Sequence, residues 1–167
     1  MNTQRPEWND ANNALVGNGV SMVTLYYLRR FLSFFVKVLQ NDKSSSFEIS
    51  TELYHFFEKL NVSFSSIESE IDDIKRKQFV DEVGEVAAEY RDRIYTSYFS
   101  GTKDTLDRKK IIHFFETVLC VLEATINSNK RQDGLYHAYN LINLKDKEIT
   151  IDRLSEMLEG QVGVLSS

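Results

Sequence analysis

The start of the chain contains a stretch whose residue types suit sugar binding. Between Trp8 and Gly19 the chain's single tryptophan is surrounded by asparagine, aspartate and glycine. This composition disfavours a helix, because Asn and Asp compete for backbone hydrogen bonds and Gly costs backbone entropy. A loop here offers donors and acceptors for sugar hydroxyls beside an aromatic ring for the sugar's C–H face. The alternative is that Asp10, Asn12 and Asn13 turn the chain into the next helix.

A second group of polar and aromatic side chains lies further along the chain. Arg131, Asp133, Tyr136 and His137 occur within a few residues of one another. Such a concentration of charge, imidazole and phenol predicts either a functional loop or a structural loop that ties two helices together. No His-x-x-x-His or paired-cysteine spacing occurs, so we expect no metal site.

Three segments of the sequence support a resemblance to a known family. Trp8-Asn9-Asp10, followed by Asn13-Ala14-Leu15, resembles the Trp-Asn-Asp segment of the cellobiose and chitobiose phosphorylases. These belong to a wider group of glycoside-active proteins with an (α/α)6 barrel. The segments 133–140 and 157–161 resemble parts of large bacterial proteins of the same type. The aspartate of the family's segment is its general acid, so the resemblance implies this role for Asp10 and places Trp8 and Asn9 at the sugar.

The resemblance also implies roles for the second group of residues. Glycoside hydrolysis needs a proton donor and usually a second carboxylate, for which Asp133 is the candidate. A phosphorylase uses inorganic phosphate as co-substrate, and Arg131 is the candidate to hold it. Tyr136 and His137 would then contact the substrate. No cofactor is expected.

Composition limits the class of protein. With 167 residues and 42% hydrophobic content, the chain can form one domain, expected over 1–167 with 1–20 as an irregular lead-in. A net charge of −5 without a basic stripe argues against nucleic acid as a partner. The one cysteine, Cys120, is expected to be buried, and the lack of a disulfide pair and of a signal peptide favours the cytoplasm.

The pattern of apolar residues predicts an all-α fold. One proline and seven glycines favour long helices over sheets. Apolar spacing predicts helices at 22–39, around 53–60, at 67–99, at 106–127 and after Thr150, with a brief extended stretch at 47–49. Arg29, Arg30 and Lys37 interrupt the most apolar of these, which argues against a membrane span. We therefore expect about five helices in an antiparallel bundle, resembling part of an (α/α)6 barrel.

Two functional hypotheses follow. An (α/α)6 barrel has twelve helices, so a chain with about five is expected to be a fragment or shortened relative of a glycoside phosphorylase or hydrolase, inactive alone. The alternative is a non-catalytic helical scaffold or protein-interaction module, because apolar stripes dominate over polar clusters. In the first case, the expected partner is an oligosaccharide. Uncovered apolar surface would also favour a homo-oligomer, or contact with the remainder of a longer parent chain.

Overall fold

The computed structural model describes residues 19–67, 71–155 and 157–166. Within these ranges the chain forms five helices and five strands. The helices are α1 (Met22–Asn41), α2 (Thr51–Ser65), α3 (Asp73–Ser97), α4 (Arg108–Ser128) and α5 (Leu158–Leu165). The strands are β1 (Gly19–Ser21), β2 (Ser46–Ser50), β3 (Lys103–Asp107), β4 (Tyr139–Leu144) and β5 (Ile149–Arg153).

The predicted all-α bundle is wrong, because the strands pair into two antiparallel sheets. One sheet has the order β1-β4-β5 and the other pairs β2 with β3. The chain is therefore a mixed helix-and-sheet protein. The expectation that it resembles part of an (α/α)6 barrel, which contains helices only, is wrong for the same reason. The strands span only 3 to 6 residues each. Runs this short carry too few side chains for their two-residue period to stand out beside the long helical stripes.

Individual helix predictions differ in their outcome. The helix predicted over 22–39 is confirmed as α1, and the hydroxyl of Ser21 accepts a hydrogen bond from the Thr24 amide at 3.2 Å. The predicted helix after Thr150 is wrong at its start, because Ile149–Arg153 is strand β5 and the helix begins at Leu158. Ile151, within this predicted helix, instead pairs across the sheet with Ile142.

The chain divides into two compact units, each described here by itself. The first contains the described residues up to Phe34 together with those from Leu119 onward, and the second is Phe35–Val118. In the first unit, Tyr26 is fully buried and packs with Met22 and Ile126.

Helix α5 packs in the first unit through its glycines. A Cβ atom on Gly163 would lie 2.8 Å from Cδ2 of the buried Tyr26 ring, and one on Gly160 would lie 3.0 Å from Cα of Ala138. Side chains larger than hydrogen would not fit at either position without displacing the neighbour. Of the large aliphatic residues of α5, Val164 packs against the cluster around Tyr26, whereas Leu158, Val162 and Leu165 are exposed on the outer side.

The second unit is built on aromatic contacts between its helices. Phe57 of α2 and Phe114 of α4 have ring centroids 5.0 Å apart, and Phe64 and Phe79 are 5.1 Å apart, both with edge-to-face geometry. Sheet β2-β3 pairs Phe47 with Leu106, which confirms the extended stretch predicted at 47–49.

Helix α4 departs from expectation in one respect. Cys120, expected to be buried, is exposed on α4. Among the described helices, α4 is also the one that is long and apolar enough to cross a membrane by length and composition alone, a criterion that core helices of soluble proteins also meet.

The close approach at Gly163 predicts opposite effects for two glycine substitutions. Gly163→Ala should lower the free energy of unfolding by about 1–3 kcal/mol, because the new methyl group overlaps the Tyr26 ring. Gly84→Ala is the matched control: no atom lies within 4 Å of its added Cβ, and alanine should stabilise the helix interior by roughly 0.5–1 kcal/mol. Urea unfolding of both variants tests this, and a Gly163→Ala variant as stable as the parent would contradict the packing of α5.

Candidate functional site

The residues predicted to act on a sugar fall into two groups. Trp8, Asn9 and Asp10 lie outside the described residues, so their roles as sugar platform, ligand and general acid stay predictions. Arg131, Asp133, Tyr136 and His137 lie between α4 and β4, in a segment that we call the 129–137 turn. The structure brings these four residues together in one compact turn of the first unit.

Arg131 and Asp133 bind each other at the tip of this turn. The guanidinium Nε and Nη2 donate to Oδ1 and Oδ2 of Asp133 at 3.0 and 2.6 Å. The Leu135 amide also donates to Oδ1 at 3.1 Å. The hydrogen bond from Arg131, and then the one from Leu135, hold the pKa of Asp133 below its usual range. Asp133 is therefore ionised at neutral pH, where it could accept a proton but has none to donate.

The backbone of the turn is tightly closed around this pair. The Arg131 amide donates to the Leu135 carbonyl at 2.7 Å, and the Gly134 amide donates to the Arg131 carbonyl at 3.1 Å. Gly134 has φ +84°, a conformation that glycine adopts without steric cost. The local sequence Asp-Gly thus makes a turn, which is the ordinary structural use of these residues.

Tyr136 and His137 are held through their backbone atoms. The side chain of Gln161 accepts from the Tyr136 amide at 3.0 Å and donates to its carbonyl at 2.6 Å, which ties the turn to α5. The His137 carbonyl accepts from the hydroxyl of Tyr26 at 3.2 Å, and its amide donates to the Asn129 carbonyl at 3.1 Å. These bonds give both residues a structural role whatever their side chains do.

The imidazole of His137 is held in its neutral form. Burial first, and then the positive charges of Arg153 and Arg131, lower the pKa of His137 below its ordinary value. Its Nδ1 is buried and has no hydrogen-bond partner among the described residues. Over the described ranges, no three His, Cys, Asp or Glu side chains converge as a metal site.

A buried carboxylate that sequence reasoning missed lies in the second unit. Glu52, in the first turn of α2, is 2% exposed, and its Oε1 accepts a hydrogen bond from the Ser100 amide at 2.8 Å. The Ser100 hydroxyl and then the Ser100 amide lower the pKa of Glu52 to about 2. Its Oε2 is buried without a partner in the part of the chain that the structure describes.

The bond to Glu52 fixes an unusual turn at the end of α3. Tyr98 has φ +60° and ψ −176°, a region that non-glycine residues rarely adopt and that costs about 1–3 kcal/mol. Just beyond Tyr98, Ser100 is bound to Glu52, and the Ser100 and Thr102 hydroxyls are 2.7 Å apart. Glu52 and Ser100 are 48 positions apart. No local pattern could have paired them.

A small cavity adjoins Glu52 between α2 and α3. Its volume is about 20 Å³, and the stacked rings of Phe56 and Tyr90, with centroids 4.6 Å apart, form part of its wall. Lys59 and Glu89, which form an ion pair, and Arg93 also line it. A cavity of this size has room for one water molecule and none for a sugar ring.

The sequence was compared with known protein families and with curated proteins, and neither comparison finds a match. The resemblance to the glycoside phosphorylases therefore rests on the quoted residues alone, and it stays a prediction.

The depressed pKa of Glu52 predicts a specific pH dependence of stability. The ionised carboxylate stabilises the fold fully above its unfolded pKa near 4.5, and this contribution is lost as the pH falls towards the folded value of about 2. At pH 7, Glu52→Gln should be less stable than the parent. The difference in unfolding free energy should shrink between pH 4.5 and 2. Chemical unfolding at several pH values measures it, and a difference that stays constant with pH would contradict the role of the charge.

The glycoside prediction has its own test. Asp133 is bound to Arg131, and the described residues do not form the expected barrel. We therefore expect no measurable sugar release from cellobiose or chitobiose, with or without phosphate. The control is Asp10→Asn. Release by the parent that is lost in Asp10→Asn would show that the chain is an active glycoside enzyme.

Proposed function

We propose that this chain is a non-catalytic protein-interaction module, and that it binds its partner through one face of α1. The observation that carries the proposal is an exposed apolar stripe, which we call the α1 outer face. Its residues are Tyr27, Phe34 and Val38, exposed by 49, 62 and 43%. They are spaced at i, i+7 and i+11, so they lie on one side of the helix.

The opposite side of α1 is already used for folding. Met22, Tyr26, Leu32, Val36 and Leu39 are all buried. A surface helix of a soluble protein normally pairs one apolar face with a polar outer face, whereas α1 is apolar on both. Three large exposed apolar side chains on one side of a helix are more than the scattered exposed residues that need no explanation, and such patches mark interaction sites.

The polar residues of the described chain support a catalytic function less well than the α1 outer face supports an interaction. Asp133 and Arg131 are bound to each other, and the cavity beside Glu52 is too small for a sugar. A glycoside activity centred on Asp10 stays a separate prediction with the assay given above. The interaction proposal needs neither Asp10 nor a barrel, and it applies to this chain alone or as part of a longer protein.

Two aspartate substitutions two positions apart on α1 test whether the α1 outer face contributes to the free energy of unfolding. Phe34→Asp should change the free energy of unfolding by less than about 1 kcal/mol, because its side chain is 62% exposed. Leu32→Asp, the control, should destabilise by several kcal/mol, because Leu32 is 6% exposed and the charge would be buried without a partner. Urea unfolding measures both. A Phe34→Asp variant as unstable as Leu32→Asp would mean that the outer face is core, and it would overturn the proposed function.

A further inference from the structure

Strand β3 is an edge strand whose backbone groups point away from its sheet at every second residue. Among the described residues this sheet consists of β2 and β3 alone, in antiparallel register. The Thr51 amide donates to the Thr102 carbonyl at 3.1 Å, so these two residues form a hydrogen-bonded pair at one end of the ladder. Because hydrogen-bonded pairs alternate along an antiparallel ladder, the amides and carbonyls of Lys103, Thr105 and Asp107 point away from β2.

The same three positions of β3 are open to solvent. Lys103, Thr105 and Asp107 are exposed, whereas Leu106, on the other face of the strand, is buried in the core. Within the part of the chain that the structure describes, no strand or loop hydrogen-bonds to the outward amides of Lys103 and Thr105. Such an edge is a template for a further strand. A lysine on the edge discourages pairing, unless the incoming strand places an acid opposite it.

The sequence of β3 supplies that acid when the strand runs antiparallel to itself. With Thr105 opposite Thr105 of a second copy, Lys103 of each copy lies opposite Asp107 of the other. Directly opposed unlike charges stabilise a sheet. Moving one strand by two residues removes both unlike pairs. A parallel, in-register alignment would instead bring Lys103 close to Lys103 and Asp107 close to Asp107. One antiparallel register is therefore favoured by charge over its neighbours.

We infer that two copies of this chain pair along β3 in this register and form one four-stranded sheet. The two Thr105 residues exchange two hydrogen bonds, and each Asp107 amide donates to the Lys103 carbonyl of the other copy. Oδ1 of Asp107 accepts from the Lys109 amide at 2.7 Å, which leaves Oδ2 for the lysine. The pairing has two-fold symmetry and uses the same patch on both copies, as closed homodimers do. The α1 outer face takes no part in it, so this is a second interaction in addition to the proposed one.

The other edge of the sheet does not offer the same match. The residues of β2 that lie opposite the outward positions of β3 are Ser46, Glu48 and Ser50. In a two-fold antiparallel pairing centred on this edge, Glu48 would face Glu48 of the second copy, and directly opposed like charges destabilise a sheet. Pairing of β3 with β2 of another copy would leave an unpaired edge at each end and would grow into larger assemblies. The β3 edge is the one whose charges fit a closed dimer.

Two proline substitutions on opposite edges test the pairing in the whole chain. Sedimentation velocity over a range of concentrations should show a reversible equilibrium between monomer and dimer. Thr105→Pro should weaken the dimer about tenfold or more, because it removes the amides of the two central hydrogen bonds. The matched control is Glu48→Pro, which makes the same change directly across the sheet at an amide that points away from β3. It should leave the dimer unchanged, and circular dichroism shows whether both variants are folded.

A second pair of variants tests the charges. Lys103→Asp and Asp107→Lys should each weaken the dimer about tenfold or more, because both unlike pairs become like pairs. An equimolar mixture of the two variants should form a heterodimer about as tightly as the parent, since one strand then carries two acids and the other two bases. Each substitution changes the net charge of −5 by two, so both variants remain acidic and net charge alone would not bring them together.

Several results would contradict the pairing. A parent chain that stays monomeric up to about 1 mM would overturn it. So would a dimer that persists in Thr105→Pro, a dimer lost in folded Glu48→Pro, assembly beyond the dimer, or a mixture of the folded charge variants that fails to associate. If Asp107→Lys does not fold, the proline variants still decide the question. Phe34→Asp should leave the dimer intact, so failure of the β3 pairing is distinguishable from failure of the proposed function. A dimer lost in folded Phe34→Asp would place the contact on α1 and overturn the pairing through β3.

Discussion

The first unit depends on the burial of one side chain, Tyr26. Its ring is fully inaccessible, lies against Gly163 of α5 and meets Tyr136 edge to face at a centroid distance of 6.5 Å. Burial, and then the neighbouring Tyr136, raise the pKa of Tyr26 to about 12, so the hydroxyl keeps its proton and donates to the His137 carbonyl. One residue thus holds α1, α5 and the 129–137 turn together.

This arrangement changes the interpretation of the most chemically suggestive segment of the sequence. The 129–137 turn, with its charged and aromatic residues, lies where α1 and α5 meet. Tyr26 of α1 and Gln161 of α5 supply hydrogen bonds that hold the turn in place. Gln161 binds the backbone of Tyr136, and Arg131 binds Asp133. With this turn occupied by structural contacts, the exposed side chains Tyr27, Phe34 and Val38 of α1 carry the functional proposal, although α5 also exposes apolar residues.

Sequence reasoning succeeded where the signal was long and local. Helix α1 was predicted closely because thirteen of its residues from Met22 to Leu39 are apolar or aromatic, and its Ser21 start carries a capping hydroxyl. The prediction failed at β5, which was absorbed into a helical stripe, and at β3, whose last two residues were included in the helix predicted at 106–127. The Glu52–Ser100 bond could not be predicted, since it joins distant residues whose types are ordinary at a helix start and in a turn.

Two adjacent tyrosines on α1 allow the most direct test of the account. Tyr26 is fully buried and Tyr27 is 49% exposed, so they report on the inner and outer sides of the same helix. Nitration of the folded chain with tetranitromethane, followed by peptide mass spectrometry, measures the accessibility of each ring. The account predicts that Tyr27 is modified while Tyr26 stays protected until the chain is unfolded. Equal protection of Tyr27 in the native monomer would show that the chain itself covers the α1 outer face, and would contradict its role as a free interaction surface.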